Sequence, residues 1–213
     1  MPEFIIKSQR SERAANVLFG LNVWAWGVLG LTTTSLDQRW HAVRLCIATI
    51  HVVVGTLFVL RRPLIRSGCR IDIIKAIPAV VLSGLAFSHA GPCSEWPSFT
   101  TAIFVSGTVL TIAAFAALAK NFAVLPAVRG VTTSGPYRWV RHPAYLGETI
   151  LALACCLAKI DAIAVVILLA TIVAVVLRAR TEEGVFATAS GECSAEYAAY
   201  RASVRYRIFP GVW

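Results

Sequence analysis

Six apolar runs separated by short polar stretches set the pattern of this chain, at residues 14–36, 43–60, 73–88, 99–119, 144–158 and 162–177. A bilayer core of about 30 Å takes about 20 apolar residues at 1.5 Å per residue. The pattern therefore predicts an all-α integral membrane protein with about six transmembrane helices. The last two runs are short, roughly 22 to 25 Å. Only Lys159-Ile160-Asp161 separates them, so they read as a helical hairpin. Pro78 interrupts the third run and predicts a kink there. The first thirteen residues hold no apolar stretch long enough for a signal-peptide core, so the first run reads as a retained span.

Composition agrees with the pattern. Apolar residues make 57% of the 213, charged residues 15%, and mean hydropathy is +0.71, whereas a soluble domain carries about a quarter charged residues. The excess of 20 Lys+Arg over 11 Asp+Glu marks a membrane face here rather than a nucleic-acid partner. Seventeen of the basic residues fall in the first tail, the second loop, the 120–141 segment and the C-terminal tail; Arg39, Arg44 and Lys159 fall on the other side. The positive-inside rule then places both termini in the cytoplasm, at the plasma or inner membrane if the chain is prokaryotic. Trp40 and Trp96 fall in the outer loops as interfacial aromatics, and Trp24 and Trp26 read as packing residues. The six cysteines form no CxxC pair and no metal-ligand spacing with histidine, so free thiols and no metal are expected.

Character changes near Lys120. Residues 1–120 are mostly membrane span, about four helices, whereas 121–213 combine a connector, the hairpin and a tail dense in particular polar residues. In the connector, Ser134-Gly135-Pro136 is a turn ahead of Tyr137. Pro143 suits the first position of the fifth helix, with His142 before it and Arg141 beside it. Such a helix start offers free N–H groups and a positive dipole end to a carboxylate or phosphate. Solvation of a helix end among headgroups is the other reading. His142 and Tyr145 share one helical face. Glu148 lies only a turn or so inside the span, where an ionisable residue is costly and functional by default; a buried pair with Arg141 or Arg178 is the alternative. Glu182 and Glu183 follow Arg178 and Arg180, where carboxylates oppose a helix C-terminal dipole. They read as ligands for a cation or a polyhydroxyl group, as partners of the arginines, or as residues of a helix that continues further. The tail EYAAYRASVRYRIFPGVW suits a lid on the membrane surface, or an ordinary interfacial segment.

Gly135-Pro136-Tyr137, Arg141-His142-Pro143-x-Tyr145 and Glu182-Glu183, with the closing Glu196-Tyr197-x-x-Tyr200 and Arg207-Ile208-Phe209-Pro210, resemble the isoprenylcysteine carboxyl methyltransferase family and, further off, the phospholipid N-methyltransferases. The resemblance covers about residues 105–213; the stretch between Glu183 and Tyr197 is slightly longer than that family's pattern. It implies an S-adenosylmethionine-dependent methyltransferase. Its cofactor pocket would be made by the last two helices and completed by the cytoplasmic C-terminal segment. A lipophilic or lipid-modified acceptor would reach it from the bilayer. Tyr137, His142, Pro143, Tyr145, Glu182 and Glu183 would bind the cofactor. Arg141 would hold an acceptor carboxylate, of prenylcysteine-like or isoprenoid type, or Glu148 would assist a thiol or amine acceptor; the carboxylate is favoured. No Rossmann glycine fingerprint is present. Membrane sterol reductases, which bind NADPH, share part of the motif but are longer, and a non-enzymatic small membrane protein is the third reading.

Overall fold

The computed structural model describes residues 2–32, 42–189 and 192–212. Arg39, Trp40 and the end of the first expected span lie outside the described residues. Seven α-helices are described: α1 (Pro2–Thr32), α2 (Ala42–Leu60), α3 (Arg70–His89), α4 (Ser98–Leu118), α5 (Pro143–Ala158), α6 (Ala162–Ala187) and α7 (Glu192–Ser203). Two-residue strands, β1 (Arg66–Ser67) and β2 (Ala127–Val128), pair antiparallel. Five helices, α1 to α4 and α6, are long and apolar enough to cross a membrane, and α5 is a shorter apolar helix. The protein is an integral membrane, all-α chain.

Local chemistry explains the helix ends. Asp72 accepts a hydrogen bond from the Cys69 amide at 2.8 Å, which starts α3 three residues before the apolar run. Asp161 accepts from the Ala164 amide at 2.8 Å and caps α6. Pro78 stays inside a continuous α3. α6 departs most from expectation. It is not a short hairpin arm, because it runs ten residues past Leu177 to Ala187, about 39 Å in all. Glu182 and Glu183 therefore sit inside a helix rather than at its end. The reason is their partners, described below, which satisfy charge that an apolar count treats as a stop.

The hairpin arms also pack apart from each other more than expected. α5 lies chiefly against α4, and α6 chiefly against α3, while α1 pairs with α2. α4 and α5 approach at Gly107 and Gly147, where a Cβ on Gly147 would stand 3.1 Å from the Gly107 carbonyl and the Thr111 amide. Trp24 packs on α2 and donates to the Val52 carbonyl at 3.0 Å, whereas Trp26 faces outward, 61% exposed. Trp96 is buried against Phe104, ring centroids 5.5 Å apart, so it is a packing residue and not an interfacial one. All six cysteines are free.

The basic segments gather at one end of the bundle. Arg129 pairs with Glu12 at 2.8 Å and donates to the Arg62 carbonyl. The Arg62 amide donates to the Lys120 carbonyl at 2.7 Å, and Arg66 reaches the Thr188 carbonyl. At the opposite end His89 meets Asp161 at 2.9 Å.

The α4–α5 approach gives a stability prediction. Gly147→Ala should destabilise the protein by about 1–3 kcal/mol through overpacking. Gly84→Ala on α3, where a Cβ meets nothing within 4 Å, should leave stability unchanged or raise it by about 0.4–1 kcal/mol. Thermal unfolding in detergent reads both, and equal effects would remove the close approach as a constraint.

Candidate active site

The connector between α4 and α5 turns at Gly135, φ 59°, into the 3₁₀ turn Gly135–Arg138. It then runs beside the C-terminal tail. The Arg141 amide donates to the Tyr206 carbonyl at 2.9 Å and the His142 amide to the Arg207 carbonyl at 2.7 Å. Ile208 is fully buried with Tyr145, Ala79 and Val175. The Tyr200 hydroxyl donates to the Tyr137 carbonyl at 2.8 Å. The tail is thus a fixed part of the wall around this end of α5 and α6. His142 is the N-cap of α5 and gives the helix no side-chain cap, and Pro143 is its buried first residue.

Between these elements lies a cavity of about 340 Å³, within the range of small-ligand sites. Tyr137, Arg141, His142, Tyr145, Glu148 and Glu182 line it, together with Arg178, Tyr197 and Tyr200. Pro143 and Glu183 do not. The apolar side comes from Ile50 and Val54 of α2, Val80 of α3, Phe115 of α4 and Leu151 of α5. α2 and α3, whose sequence carries no part of the motif, therefore help to form the cavity.

Charge in and behind this wall falls into two groups, joined by His142, whose Nδ1 stands 3.9 Å from Glu182. In the first, Glu183 is 5% exposed and is met by two arginines and a histidine: Arg207 Nε donates to it at 3.0 Å, and Arg141 Nε and His142 Nε2 stand 3.4 Å away. Two arginines meet this one carboxylate near the α5 N-terminus. In the second, Arg178 lies between two carboxylates, 3.7 Å from Glu182 and 4.0 Å from Glu148. It also stacks 4.8 Å over the Tyr145 ring and donates to the Val124 carbonyl. One arginine against two carboxylates leaves about one negative charge. Tyr145 donates to Glu182, and its ring stacks on His142 at 5.4 Å and 7°. Ser83 of α3 donates to Glu148 at 2.7 Å.

The tyrosines outside the membrane spans are held protonated. Burial raises the hydroxyls of Tyr137, Tyr197 and Tyr200, and the neighbouring carboxylates add to the rise. Tyr197 stacks on Phe186 at 4.5 Å, and its buried hydroxyl has no hydrogen-bond partner among the described residues. A buried hydroxyl without a partner costs about 1–3 kcal/mol, and this one belongs to a cavity-lining side chain.

The motif residues of both hairpin arms converge, as their clustering in the sequence implies. Ser83 gave no signal, because a serine in an apolar helix ordinarily bonds its own backbone, and the Ala79 carbonyl stands 3.0 Å from this hydroxyl as that alternative acceptor. Arg178 was legible as a partner of Glu148 but not as the bridge between two carboxylates.

Residues 97–190 match the family model described as phospholipid methyltransferase. No curated protein matches the chain. The match overlaps the connector, the helix start with Arg141, His142 and Tyr145, and the Glu182-Glu183 pair. The match to residues 97–190 agrees with the resemblance to the isoprenylcysteine carboxyl and phospholipid methyltransferases, and it supports a membrane methyltransferase domain in that part of the chain.

Proposed function

We propose that the protein transfers a methyl group from S-adenosylmethionine to a lipophilic acceptor at the cytoplasmic membrane face. The grouping of charge in and behind the cavity wall carries this reading. The cofactor is a zwitterion with an added cation: its carboxylate suits Arg141 and the uncapped start of α5, and its sulfonium suits the Glu148–Arg178–Glu182 group. Phe186, Tyr197 and Tyr137 offer ring faces, and the Tyr197 hydroxyl has a hydrogen bond to give. Glu182 lines the cavity and serves as a ligand for hydroxyls or ammonium. Glu183, behind the wall, organises Arg141, His142 and Arg207. Pro143 holds the helix start. When bound, S-adenosylmethionine supplies an electrophilic methyl carbon on a sulfonium. The chain's own tasks are to align the acceptor in line with it and to exclude water.

The same electrostatics bears on the acceptor. Arg141 is engaged by Glu183 at 3.4 Å and is assigned to the cofactor's carboxylate, so it is not left over to hold an acceptor carboxylate. Glu148 belongs to the negative group, is held by Ser83 and lines the cavity beside the apolar side. An acceptor that presents an N–H or S–H fits there, with Glu148 receiving the proton as the new bond forms. A carboxylate would meet repulsion. The acceptor is therefore an amine or thiol on a lipophilic body.

For the cofactor, calorimetry with S-adenosylhomocysteine should give saturable binding, and NADPH none. Glu182→Gln should weaken that binding about tenfold, the worth of a hydrogen bond to a charged group. Tyr197→Phe should weaken it severalfold while leaving the protein equally or more stable, since it removes an unpartnered hydroxyl. Unchanged affinity in both variants would remove the cofactor from this cavity.

For the acceptor, Glu148→Gln should lower kcat about 100-fold or more with S-adenosylhomocysteine affinity unchanged, and the wild-type rate should rise with pH as the acceptor loses its proton. A flat pH profile with a fully active Glu148→Gln enzyme would return the assignment to a carboxylate.

Orientation is tested by labelling. The basic end carries exposed Cys69, and positive charge favours the cytoplasm. In intact cells an impermeant maleimide should miss Cys69 and reach a cysteine introduced as Ser94→Cys, at the opposite end. The reverse pattern would put the cavity's polar end on the wrong side for a cytosolic cofactor.

A further inference from the structure

A second recess opens beside the cavity at the basic end of the bundle. Its polar lining is Arg62, Lys120, Asn121, Thr132, Thr133 and Ser134. Leu118, Asn121, Val131 and Thr132 line both spaces, so the two share a wall. We propose that this recess binds the phosphate group of a membrane lipid head next to the methyl-transfer cavity. The proposal goes beyond the methyltransferase reading and stands without it.

Three observations carry it. First, the recess is organised around Asn121. Its carbonyl oxygen accepts from Arg62 at 3.5 Å and its amide donates to the Thr132 hydroxyl at 3.1 Å. Gly130 adopts φ 147°, and a Cβ there would stand 2.7 Å from the Asn121 oxygen, so the backbone closes directly on that side chain. A guanidinium and a hydroxyl are thereby fixed on either side of one amide. Second, positive charge at this corner is unbalanced. Arg61, Arg62, Lys120 and Arg129 are brought together by the Arg62–Lys120 and Arg129–Arg62 backbone contacts. Glu12 takes Arg129, and Arg61 takes Asn16, a neutral partner. Among the described residues neither Arg62 nor Lys120 has a carboxylate within 4 Å. Burial, then the charge of Arg129, pushes the Arg61 guanidinium down to about 10 against the opposing pull of Glu12. Third, the recess lies where the apolar span Ser98–Asn121 ends, the level of lipid headgroups in a bilayer. Two cations, an amide and three consecutive hydroxyl residues match a tetrahedral oxyanion with several acceptor oxygens. S-adenosylmethionine has no phosphate, so the recess does not duplicate the cofactor site.

The test uses the full chain in uncharged detergent micelles, with dioctanoyl phosphatidic acid as probe, dioctanoylglycerol as the same lipid without phosphate, and inorganic phosphate as competitor. Binding is read by native mass spectrometry and by the shift in thermal unfolding. Phosphatidic acid should bind at least about tenfold tighter than dioctanoylglycerol, and less tightly as salt rises. Arg62→Gln with Lys120→Gln should lose about tenfold or more, and Lys120→Gln alone severalfold, which covers any disturbance of Asn121 by the arginine change. Arg62→Lys with Lys120→Arg should retain binding, as should Arg201→Gln, a basic residue on α7 away from the recess. Equal binding of the two lipids, or wild-type affinity in the double glutamine variant, overturns the proposal. Displacement by inorganic phosphate at the lipid's own concentration overturns the lipid source and makes a soluble phosphate the ligand. S-adenosylhomocysteine binding on the same samples should not change, so failure here and failure of the methyltransferase reading are read apart.

Discussion

Glu183 is the charge around which the polar end of this protein is arranged. A carboxylate taken out of water costs several kcal/mol unless cations and hydrogen bonds meet it. Arg141 and His142 come to it from the connector and Arg207 from the C-terminal tail. Satisfying this one group therefore sets the position of the α5 start, holds the tail across it, and lets α6 continue ten residues beyond its apolar run. The backbone pairing of residues 141–142 with 206–207 follows the same line. The Arg141-His142 pair, Glu183 and Arg207 lie far apart in the chain and form one cluster.

The neighbouring group sets Arg178 against two carboxylates. Placing arginines and carboxylates in neighbouring groups beside an apolar lining strengthens their fields relative to water. A ligand that carries charges of both signs is oriented by such a site, whereas a simple anion or cation is attracted by one kind of charge and repelled by the other. The arrangement is also preorganised, because Tyr145, Ser83 and the Val124 carbonyl hold the carboxylates and the guanidinium before any ligand arrives.

The N-terminal helices have a larger part than their unspecific sequences indicate. α2 and α3 supply apolar lining, and α3 adds Ser83. The loop after α2 supplies Arg62 to the recess beside the cavity. Close backbone approach between α4 and α5 at Gly107 and Gly147 sets Glu148, the next residue, against Ser83 of α3 and Arg178 of α6. Packing of small residues is the means available in a bilayer, where lipid tails give apolar side chains no reason to associate.

Much of this was readable from the chain itself. The apolar runs, Pro143 at a helix start, Asp161 before another, and the basic clustering in four segments are local or near-local properties. They are set by bilayer thickness, backbone chemistry and charge, which act on neighbours in sequence. The helix face shared by His142 and Tyr145, and the special character of residues 121–213, follow from the same short-range rules. Tertiary structure alone decided the rest. The length of α6 depended on partners for Glu182 and Glu183 that lie on the connector, α5 and the tail. Trp96 turned inward because Phe87 and Phe104 surround it, and Trp26 outward because none of the described helices covers it. Ser83 and Arg62 became site residues only when α3 and the end of α2 were packed beside the connector. Sequence determines what each segment does in a membrane by itself, and burial of charge, which needs partners from distant segments, decides where those segments meet.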